Sequence, residues 1–266
     1  MKIGVFDSGV GGLSVLKKIK EKIDFADIIY YGDSLNSPYG SKSVEEIQKL
    51  CLEIGEFLID NRVDIIVIAC NTATAAALDT LRERFTSVPI IGVVQPGAAI
   101  AIKESKNRKI GVLSTPLTAK SRVYEKAIKT INSKYEVFQK GCELLCPMIE
   151  RGWESSERNT ELLKSYIEQL PNDIDTLVLG CTHYPLIRED IEKLIGNKKI
   201  IDPAEEAAMQ VLFELNKLAL RTGFKKIKKD KIGIDYFVSG DIEMFRKVGE
   251  RFLGEKLLNV YQPLIG

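Results

Sequence analysis

Short runs rich in isoleucine and valine alternate with stretches of helical pattern along this chain, and this alternation limits the possible fold most. In the first third, the runs IGVF, DIIYYG and DIIVIA are followed by helical patterns at 12–22, 43–62 and 72–85. Strands that alternate with helices indicate a parallel sheet with crossover helices. We therefore predict an α/β fold built on doubly wound parallel sheets.

The second half of the chain repeats the pattern of the first. KIGV at 2–5 recurs at 109–112, and DIIVIACNT, which ends at Thr72, recurs as DTLVLGCTH, which ends at His183. Strands rich in valine and isoleucine resemble one another by chance, but two matches at nearly the same spacing indicate a duplicated half. We predict one α/β domain at 1–96 plus 204–266 and another at 97–203, since Pro-Gly and Asp-Pro pairs mark the crossings.

Size and charge limit the kind of partner. A chain of 266 residues with 45% apolar content can bury one large core or two ordinary ones without disulfides. The formal net charge is +1, so nothing global attracts nucleic acid or an anionic membrane, and the lysine-rich stretch at 225–231 has the composition of a solvated loop. We expect a small-molecule partner, no nucleic acid, no membrane and, from the absence of a leader pattern, a cytoplasmic location.

The five cysteines fall into three groups. None forms a CxxC motif and the chain has one histidine, so we expect no structural zinc site. Cys51 belongs to the apolar stripe of the helix at 43–62 and is predicted to pack in the core. Cys142 and Cys146 share a helical face with Ile149 and are also expected in the core.

Cys70 and Cys181 remain, and each directly follows a buried-type strand. Each also precedes a polar pair, Asn71-Thr72 in one half and Thr182-His183 in the other. That position is the carboxyl end of a parallel strand, where ligands bind. A helix start after Cys70 would stabilise a thiolate, although a small buried cysteine fits the same position. His183 could tune the neighbouring thiol or bind an anionic group, and both roles stay open.

A glycine-rich segment, DSGVGG at 7–12, follows the first strand. It has neither the GxGxxG nor the GxxxxGK[ST] spacing of a nucleotide site. Its glycines are predicted to let a ligand carboxylate approach backbone N–H groups at the following helix start. Asp33 and PYG at 38–40 end the second strand and are expected beside this segment, although turn formation explains the Pro-Tyr-Gly sequence equally well.

Four motifs in order resemble the glutamate racemases of bacterial cell-wall synthesis over essentially the whole chain. They are DSGVGG at 7–12, GDxxxxPYG ending at Gly40, CNTA at 70–73 and GCTHYP at 180–185. The segment at 34–36 reads Ser-Leu-Asn where the family commonly has Thr-Ala-Arg, and only local consequences are expected.

The resemblance implies two domains related by a pseudo-twofold axis, with the active site at their interface and with neither pyridoxal phosphate nor a metal. It implies that L- and D-glutamate are interconverted by a two-base proton transfer, with Cys70 serving the D-enantiomer and Cys181 the L-enantiomer. The product D-glutamate would supply peptidoglycan synthesis. We also expect a homodimer.

The family's functional positions carry over residue by residue. Those that bind substrate match Asp7, Ser8, Tyr39, Gly40, Asn71, Thr72, Thr118, Thr182 and His183. Those around the thiols Cys70 and Cys181 match Asp7, Asp33, Glu150 and His183. Thr115 resembles a further substrate contact beside Thr118.

Two other functions compete with this interpretation. An aspartate racemase, or another cysteine-pair racemase of the same fold, would share the mechanism, because the motifs specify the chemistry better than the substrate's side-chain length. A non-catalytic anion-binding module would use the glycine-rich segment and leave both cysteines dispensable.

Overall fold

The computed structural model describes residues 1–263 and contains two parallel sheets. Six strands form the first sheet: β1 (Lys2–Asp7), β2 (Asp27–Gly32), β3 (Ile65–Ile68), β4 (Ile90–Gly92), β9 (Ile234–Val238) and β10 (Val260–Tyr261). Four strands form the second: β5 (Lys109–Ser114), β6 (Glu136–Gly141), β7 (Thr176–Gly180) and β8 (Lys199–Ile201). All neighbouring strands pair in parallel.

Eleven helices cover these sheets in the described part of the chain. They are α1 (Leu13–Lys22), α2 (Val44–Asp60), α3 (Asn71–Arg84), α4 (Val94–Glu104), α5 (Pro116–Ser121), α6 (Val123–Ile131), α7 (Leu145–Gly152), α8 (Glu157–Ile167), α9 (Arg188–Ile195), α10 (Pro203–Thr222) and α11 (Ile242–Leu253). Short 3-10 turns lie at Ser34–Asn36, Tyr39–Ser41 and Tyr184–Ile187.

The first helices begin and end close to the predicted positions, and the start of α2 carries a capping signal. Ser43 caps α2, accepting the Glu46 N–H while the Glu46 side chain accepts the Ser43 N–H. Along α2, the predicted stripe that includes Cys51 is buried from Ile47 to Leu58, whereas Val44 in the first turn is exposed. The Cys51 side chain is fully buried, as predicted.

The strand order confirms the duplication and the predicted fold class. The first sheet runs β10-β9-β2-β1-β3-β4 and the second β6-β5-β7-β8. The orders 2-1-3-4 and 6-5-7-8 are equivalent, so β3 in one half corresponds to β7 in the other. Cys70 follows β3 and Cys181 follows β7, which puts the two thiols at matching strand ends.

The two halves share helices and one of three apolar clusters. The segment after 203 supplies β9 and β10 to the first sheet. The crossing predicted at Pro96-Gly97 falls inside α4, which packs against both α10 and α6, while Asp202 caps α10. One cluster of buried side chains includes strand residues of both sheets. The domain limits at 96 and 203 therefore stay a prediction, although the strands separate along them.

The prediction that Cys142 lies in a helix is wrong. Cys142 is buried in the connection between β6 and α7, one turn before the helix begins, whereas Cys146 lies in the first turn of α7 and is only half-buried. Within residues 1–263, no helix is both long enough and apolar enough to cross a membrane.

Candidate active site

A cavity of about 720 Å³ lies at the carboxyl ends of β3 and β7 and is bounded by both halves of the chain. The predicted residues that line it are Ser8, Tyr39, Gly40, Cys70, Asn71, Thr72, Thr115, Glu150, Cys181, Thr182 and His183. Asp7, Asp33 and Thr118 are buried behind this lining and contact residues that belong to it. The structure thus brings the predicted site residues together, some facing the cavity and some supporting it.

Cys70 is the residue that caps α3. Its Sγ accepts the N–H of Ala73 at 3.4 Å, and its thiol donates to Ser8 Oγ at 3.7 Å. Burial and the carboxylate of Asp7 raise the pKa of Cys70 to about 12, while the Ala73 N–H and the Ser8 hydroxyl lower it. The resting thiol is therefore protonated, and the helix start stabilises the thiolate when it forms.

Cys181 has different neighbours. Its Sγ lies 3.2 Å from Cys146 Sγ and 3.6 Å from His183 Nδ1. The Cys146 thiol and burial hold the pKa of Cys181 well above its usual range, and His183 opposes them. No long helix starts here, because the chain enters the 3-10 turn Tyr184–Ile187 instead.

His183 bridges Cys181 and Glu150. Its Nε2 lies 2.8 Å from Glu150 Oε1, while its Nδ1 faces the thiol. Burial lowers the pKa of His183, but the Cys181 thiolate and the Glu150 carboxylate outweigh burial and raise it above its usual value. A protonated His183 is therefore the group that stabilises a Cys181 thiolate, which favours the thiol-tuning role over the anion-binding one.

Asp7 links the two halves beneath the cavity. It accepts the Gly9 N–H at 3.0 Å and the Thr182 hydroxyl at 3.3 Å, and it is completely buried. Burial raises the pKa of Asp7 to about 6, against the lowering effect of His183. Its charge in turn raises the pKa of Cys70. Asp7 thus acts on Cys70 and holds Thr182, the residue after Cys181, without lining the cavity.

The predicted role of Gly11 and Gly12 is wrong. Both glycines lie outside the cavity lining, whereas Ser8 and Gly9 belong to it. A Cβ at Gly11 would lie 2.4 Å from Thr182 Oγ1, and one at Gly12 would lie 2.4 Å from Asp7 Cβ. Gly11 is needed because Thr182 and His183 of the other half pack against it, and Gly12 because Asp7 and Tyr30 of its own half do. No ligand is required to explain either glycine.

Asp33 acts on the cavity through Tyr39. It accepts the Tyr39 hydroxyl at 2.6 Å and the Ser239 hydroxyl at 2.6 Å. The buried Tyr39 ring then forms part of the cavity wall. Asp33 is therefore placed to position Tyr39 and does not face the thiols.

Asn71 and three threonines form a polar wall next to Cys70. Tyr124 donates its hydroxyl to Asn71 Oδ1 at 2.6 Å, so the Asn71 NH₂ group is the part available to a bound carboxylate. Thr72 Oγ1 lies 2.8 Å from Thr115 Oγ1 and 3.1 Å from Thr118 Oγ1. These hydroxyls join α3 to α5 across the two halves.

Several lining residues were not predicted from the sequence. Cys146 was expected in the core, and the α11 face was assigned no role. The unpredicted lining residues with polar or charged side chains are Ser34, Ser37, Arg151, Asp241, Lys247 and Arg251. Arg251 also donates to the backbone carbonyl of Glu150 at 2.9 Å, which ties α11 to α7. Basic residues on an amphipathic helix resemble an ordinary solvated face, so no pattern distinguishes them.

One group of side chains has metal-ligand chemistry. Among residues 1–263, donor atoms of Cys146, Cys181 and His183 lie within 4.8 Å of one another. Sequence spacing gives no sign of this group, because Cys146 reaches Cys181 only through the packing of α7.

Comparison with known proteins agrees with this arrangement. Residues 3–211 match the family model for the Asp/Glu/hydantoin racemases. A glutamate racemase of Fusobacterium nucleatum is 44% identical over 257 residues, covering 96% of this chain and 95% of that protein. The crystal structure of a Francisella tularensis glutamate racemase in complex with D-glutamate superposes with a TM-score of 0.90 at 35% identity, covering 99% and 97% of the two chains.

An aspartate racemase of Picrophilus torridus is a more distant match. It has a TM-score of 0.59 at 19% identity, covers 81% of this chain and is covered over 94% of its own length. That likeness shows a common fold alone. Because the family model matches and known members are similar over nearly the whole length, the chain belongs to the Asp/Glu/hydantoin racemase family and, within it, to the glutamate racemases.

Proposed function

We propose that this protein interconverts L- and D-glutamate by moving the α-proton between the thiols of Cys70 and Cys181. The observation that carries the proposal is that both thiols end matching strands of the two halves and face one cavity. Inversion at an α-carbon needs a base on one face and an acid on the other, and two opposed thiols supply both. No carrier cofactor is needed for this step.

In the L-to-D direction, the Cys181 thiolate removes the α-proton and the Cys70 thiol donates its own proton to the opposite face. The enzyme then holds a Cys70 thiolate and a Cys181 thiol, which is the form that accepts D-glutamate. Each turnover thus exchanges the protonation states of the two cysteines. The assignment of Cys70 to the D-face follows the resemblance to the family.

The environment of each thiol supports these two states. Burial favours the neutral thiol at both positions, so a thiolate forms only where a local group stabilises it. For Cys70 that group is the start of α3, and for Cys181 it is His183 held by Glu150. Asp7 raises the pKa of Cys70 and keeps that thiol protonated for its role as acid.

Polar groups on the cavity surface support binding of an amino acid. The Asn71 amide and the Thr72 and Thr182 hydroxyls border the cavity between the two thiols and offer hydrogen bonds to a carboxylate or an ammonium group. Ser8, Tyr39 and Gly40 complete the contacts that we assign to substrate, with Thr118 supporting Thr72, while His183 borders the same cavity and acts on Cys181.

Glutamate is favoured over aspartate by the relatives. The glutamate racemase of Fusobacterium nucleatum is 44% identical to this chain, whereas the aspartate racemase of Picrophilus torridus shares 19%. The anion-binding module without catalysis is disfavoured by the matched thiols. We further propose that the enzyme is a homodimer and that it acts in the cytoplasm to supply D-glutamate for peptidoglycan.

Incubation in deuterated buffer tests the reaction and its substrate together. The purified protein, dialysed against a chelator and free of pyridoxal phosphate, should cause L-glutamate to lose optical rotation and gain deuterium at the α-carbon. L-aspartate in a parallel incubation should remain unlabelled. Equal labelling of both amino acids would contradict glutamate specificity, and activity that returns only with a metal or pyridoxal phosphate would contradict the two-thiol mechanism.

A further inference from the structure

Cys146 has no role in the proposed proton transfer, yet its thiol lies against a reacting one. It projects from the first turn of α7 and lines the same cavity as Cys181. The two Sγ atoms are 3.2 Å apart, and His183 Nδ1 is 3.6 Å from Cys181 Sγ. Two sulfurs and one imidazole nitrogen therefore converge in a volume that one ion can fill.

We propose that Cys146, Cys181 and His183 form a binding site for one soft divalent cation, Zn²⁺ or Cd²⁺, and that the bound ion inhibits racemisation. Thiolate and imidazole ligands select this class of ion over Mg²⁺ or Ca²⁺, which prefer oxygen. Three protein ligands leave the fourth tetrahedral position open toward the cavity, where water completes the coordination. Each thiol that binds the ion releases its proton to the solvent.

Glu150 provides the second observation that points to a metal ligand. A histidine that binds a metal through one ring nitrogen commonly donates its other N–H to a carboxylate, which fixes the ring and its tautomer. His183 already has this arrangement, with Nδ1 toward the sulfurs and Nε2 2.8 Å from Glu150 Oε1. The histidine is thus oriented for an ion at the two sulfurs before any ion arrives.

Inhibition follows from the use of Cys181. A thiolate that is bound to the cation cannot remove the α-proton of L-glutamate, and the ion occupies the space beside that thiol. This part of the inference rests on the proposed racemase function. Binding of the ion does not, so the two can fail separately.

Titration of the reduced, metal-free protein with Cd²⁺ tests binding directly. We expect one ion per chain by equilibrium dialysis, together with the ultraviolet charge-transfer absorption of cadmium thiolates. Cys146→Ser should weaken binding by at least about a hundredfold, since loss of a ligand exceeds the roughly 10- to 100-fold effect of losing an outer partner. Glu150→Gln should weaken binding by about 10- to 100-fold.

Cys142→Ser is the matched control, because Cys142 lies in the same segment but outside the cluster. It should bind Cd²⁺ with the affinity of the parent. Absence of the charge-transfer band in the parent, or a Cys146→Ser protein that binds with parental affinity, would overturn the site. Circular dichroism verifies that each variant is folded.

Racemisation assays test the second half of the inference. Each variant's rate with Cd²⁺ is divided by its own metal-free rate, so differences in basal activity cancel. The concentration that halves the parent's activity should rise at least about a hundredfold in Cys146→Ser, and a chelator should restore the parent. Full activity of the parent with one cadmium bound would overturn inhibition, whereas no racemisation in metal-free protein would count against the proposed function alone.

Discussion

Cys70 and Cys181 end equivalent strands, yet the two halves of the molecule stabilise their thiolates in different ways. Around Cys70, backbone geometry does so, because the thiol caps a helix of 14 residues. Around Cys181, a side chain does so, because no long helix begins there and His183, held by Glu150, lies against the sulfur. Duplication thus preserved the position of the thiol while its electrostatic support diverged, and the following predictions test that difference.

The largest expected effect is the loss of either thiol. Cys70→Ala and Cys181→Ala should each reduce racemisation by about a hundred- to ten-thousand-fold, as expected for a general acid or base. Any remaining solvent-deuterium exchange should then be specific to one enantiomer. Cys181 alone should exchange L-glutamate, and Cys70 alone should exchange D-glutamate.

Deuterium uptake into each pure enantiomer measures this prediction, with Cys51→Ala as a control for cysteine loss outside the cavity. Near-normal racemisation by either active-site variant would show that the thiol it lacks is not a general acid or base of the reaction. The same enantiomer preference in both variants would show that the thiols do not serve opposite faces.

The next effect concerns the free energy of unfolding. Asp7 has a pKa raised from 3.8 to about 6 by burial, so the folded state binds its proton more tightly than the unfolded state. Its stabilising contribution is complete below pH 3.8 and is lost as the pH rises through 6. At about 1.36 kcal/mol per pKa unit, this amounts to up to about 3 kcal/mol.

Asp7→Asn has no carboxyl group at this position, so it should not lose this part of its free energy of unfolding as the pH rises. Its stability relative to the parent should therefore increase from pH 4 to pH 7. Urea denaturation of both proteins across that range provides the measurement. A difference that is constant with pH would show that burial does not raise the pKa of Asp7 in the folded protein.

Turnover should fall less steeply in variants of the residues that act on the thiols. Asp7→Asn and His183→Asn should each reduce kcat by about 10- to 100-fold, the effect of a hydrogen bond to a charged group. Both proteins should keep the parental circular dichroism spectrum. Turnover as fast as the parent's in either variant would show that the substituted residue does not act on the thiols.

The smallest effect should be the most specific to one half. Ser8→Ala removes a hydrogen-bond partner of Cys70, and Glu150→Gln weakens the hydrogen bond that holds His183, the partner of Cys181. Each change should destabilise one thiolate by roughly 1 kcal/mol and slow one proton transfer about fivefold. The two enantiomers have equal free energy, so kcat/KM remains equal in both directions. The difference appears instead in the isotope effect on α-deuterated substrate.

With Ser8→Ala, the isotope effect should increase for D-glutamate and decrease for L-glutamate. With Glu150→Gln, the changes should be reversed. Parallel changes in both variants would show that the two halves stabilise their thiolates by one shared network.

Local patterns predicted the sheet, while packing decided the details of the cavity. The strands and the twin thiols follow from periodicity and from the repeated motif, which depend on neighbouring residues alone. The position of Cys146 depends on how α7 packs against the 3-10 turn Tyr184–Ile187 that follows Cys181, and the contribution of α11 depends on the return of the last segment to the first sheet. Neither distance nor orientation between such elements is encoded in a local pattern.

Gly11 shows the same limit within a motif. Its sequence context resembles an anion loop, but Gly11 lacks space for a side chain because a Cβ there would lie 2.4 Å from Thr182 Oγ1. Thr182 is more than 170 residues further along the chain. Asp33 was likewise predicted beside the thiols, and the structure places it behind Tyr39. The motif predicted which residues lie near the cavity, and the structure shows which of them line it.

The exposed rim of the cavity has a consequence for how a substrate arrives. Arg151, Lys247 and Arg251 are exposed there, against the exposed carboxylate of Asp241 and the partly exposed carboxylate of Glu150. A dicarboxylic amino acid carries net negative charge at neutral pH, so these cations attract it over a distance comparable with the Debye length of about 8 Å at physiological salt. Encounter with the enzyme should therefore be faster than for a neutral amino acid and should slow as ionic strength rises, with Lys247 and Arg251 steering the approach from outside.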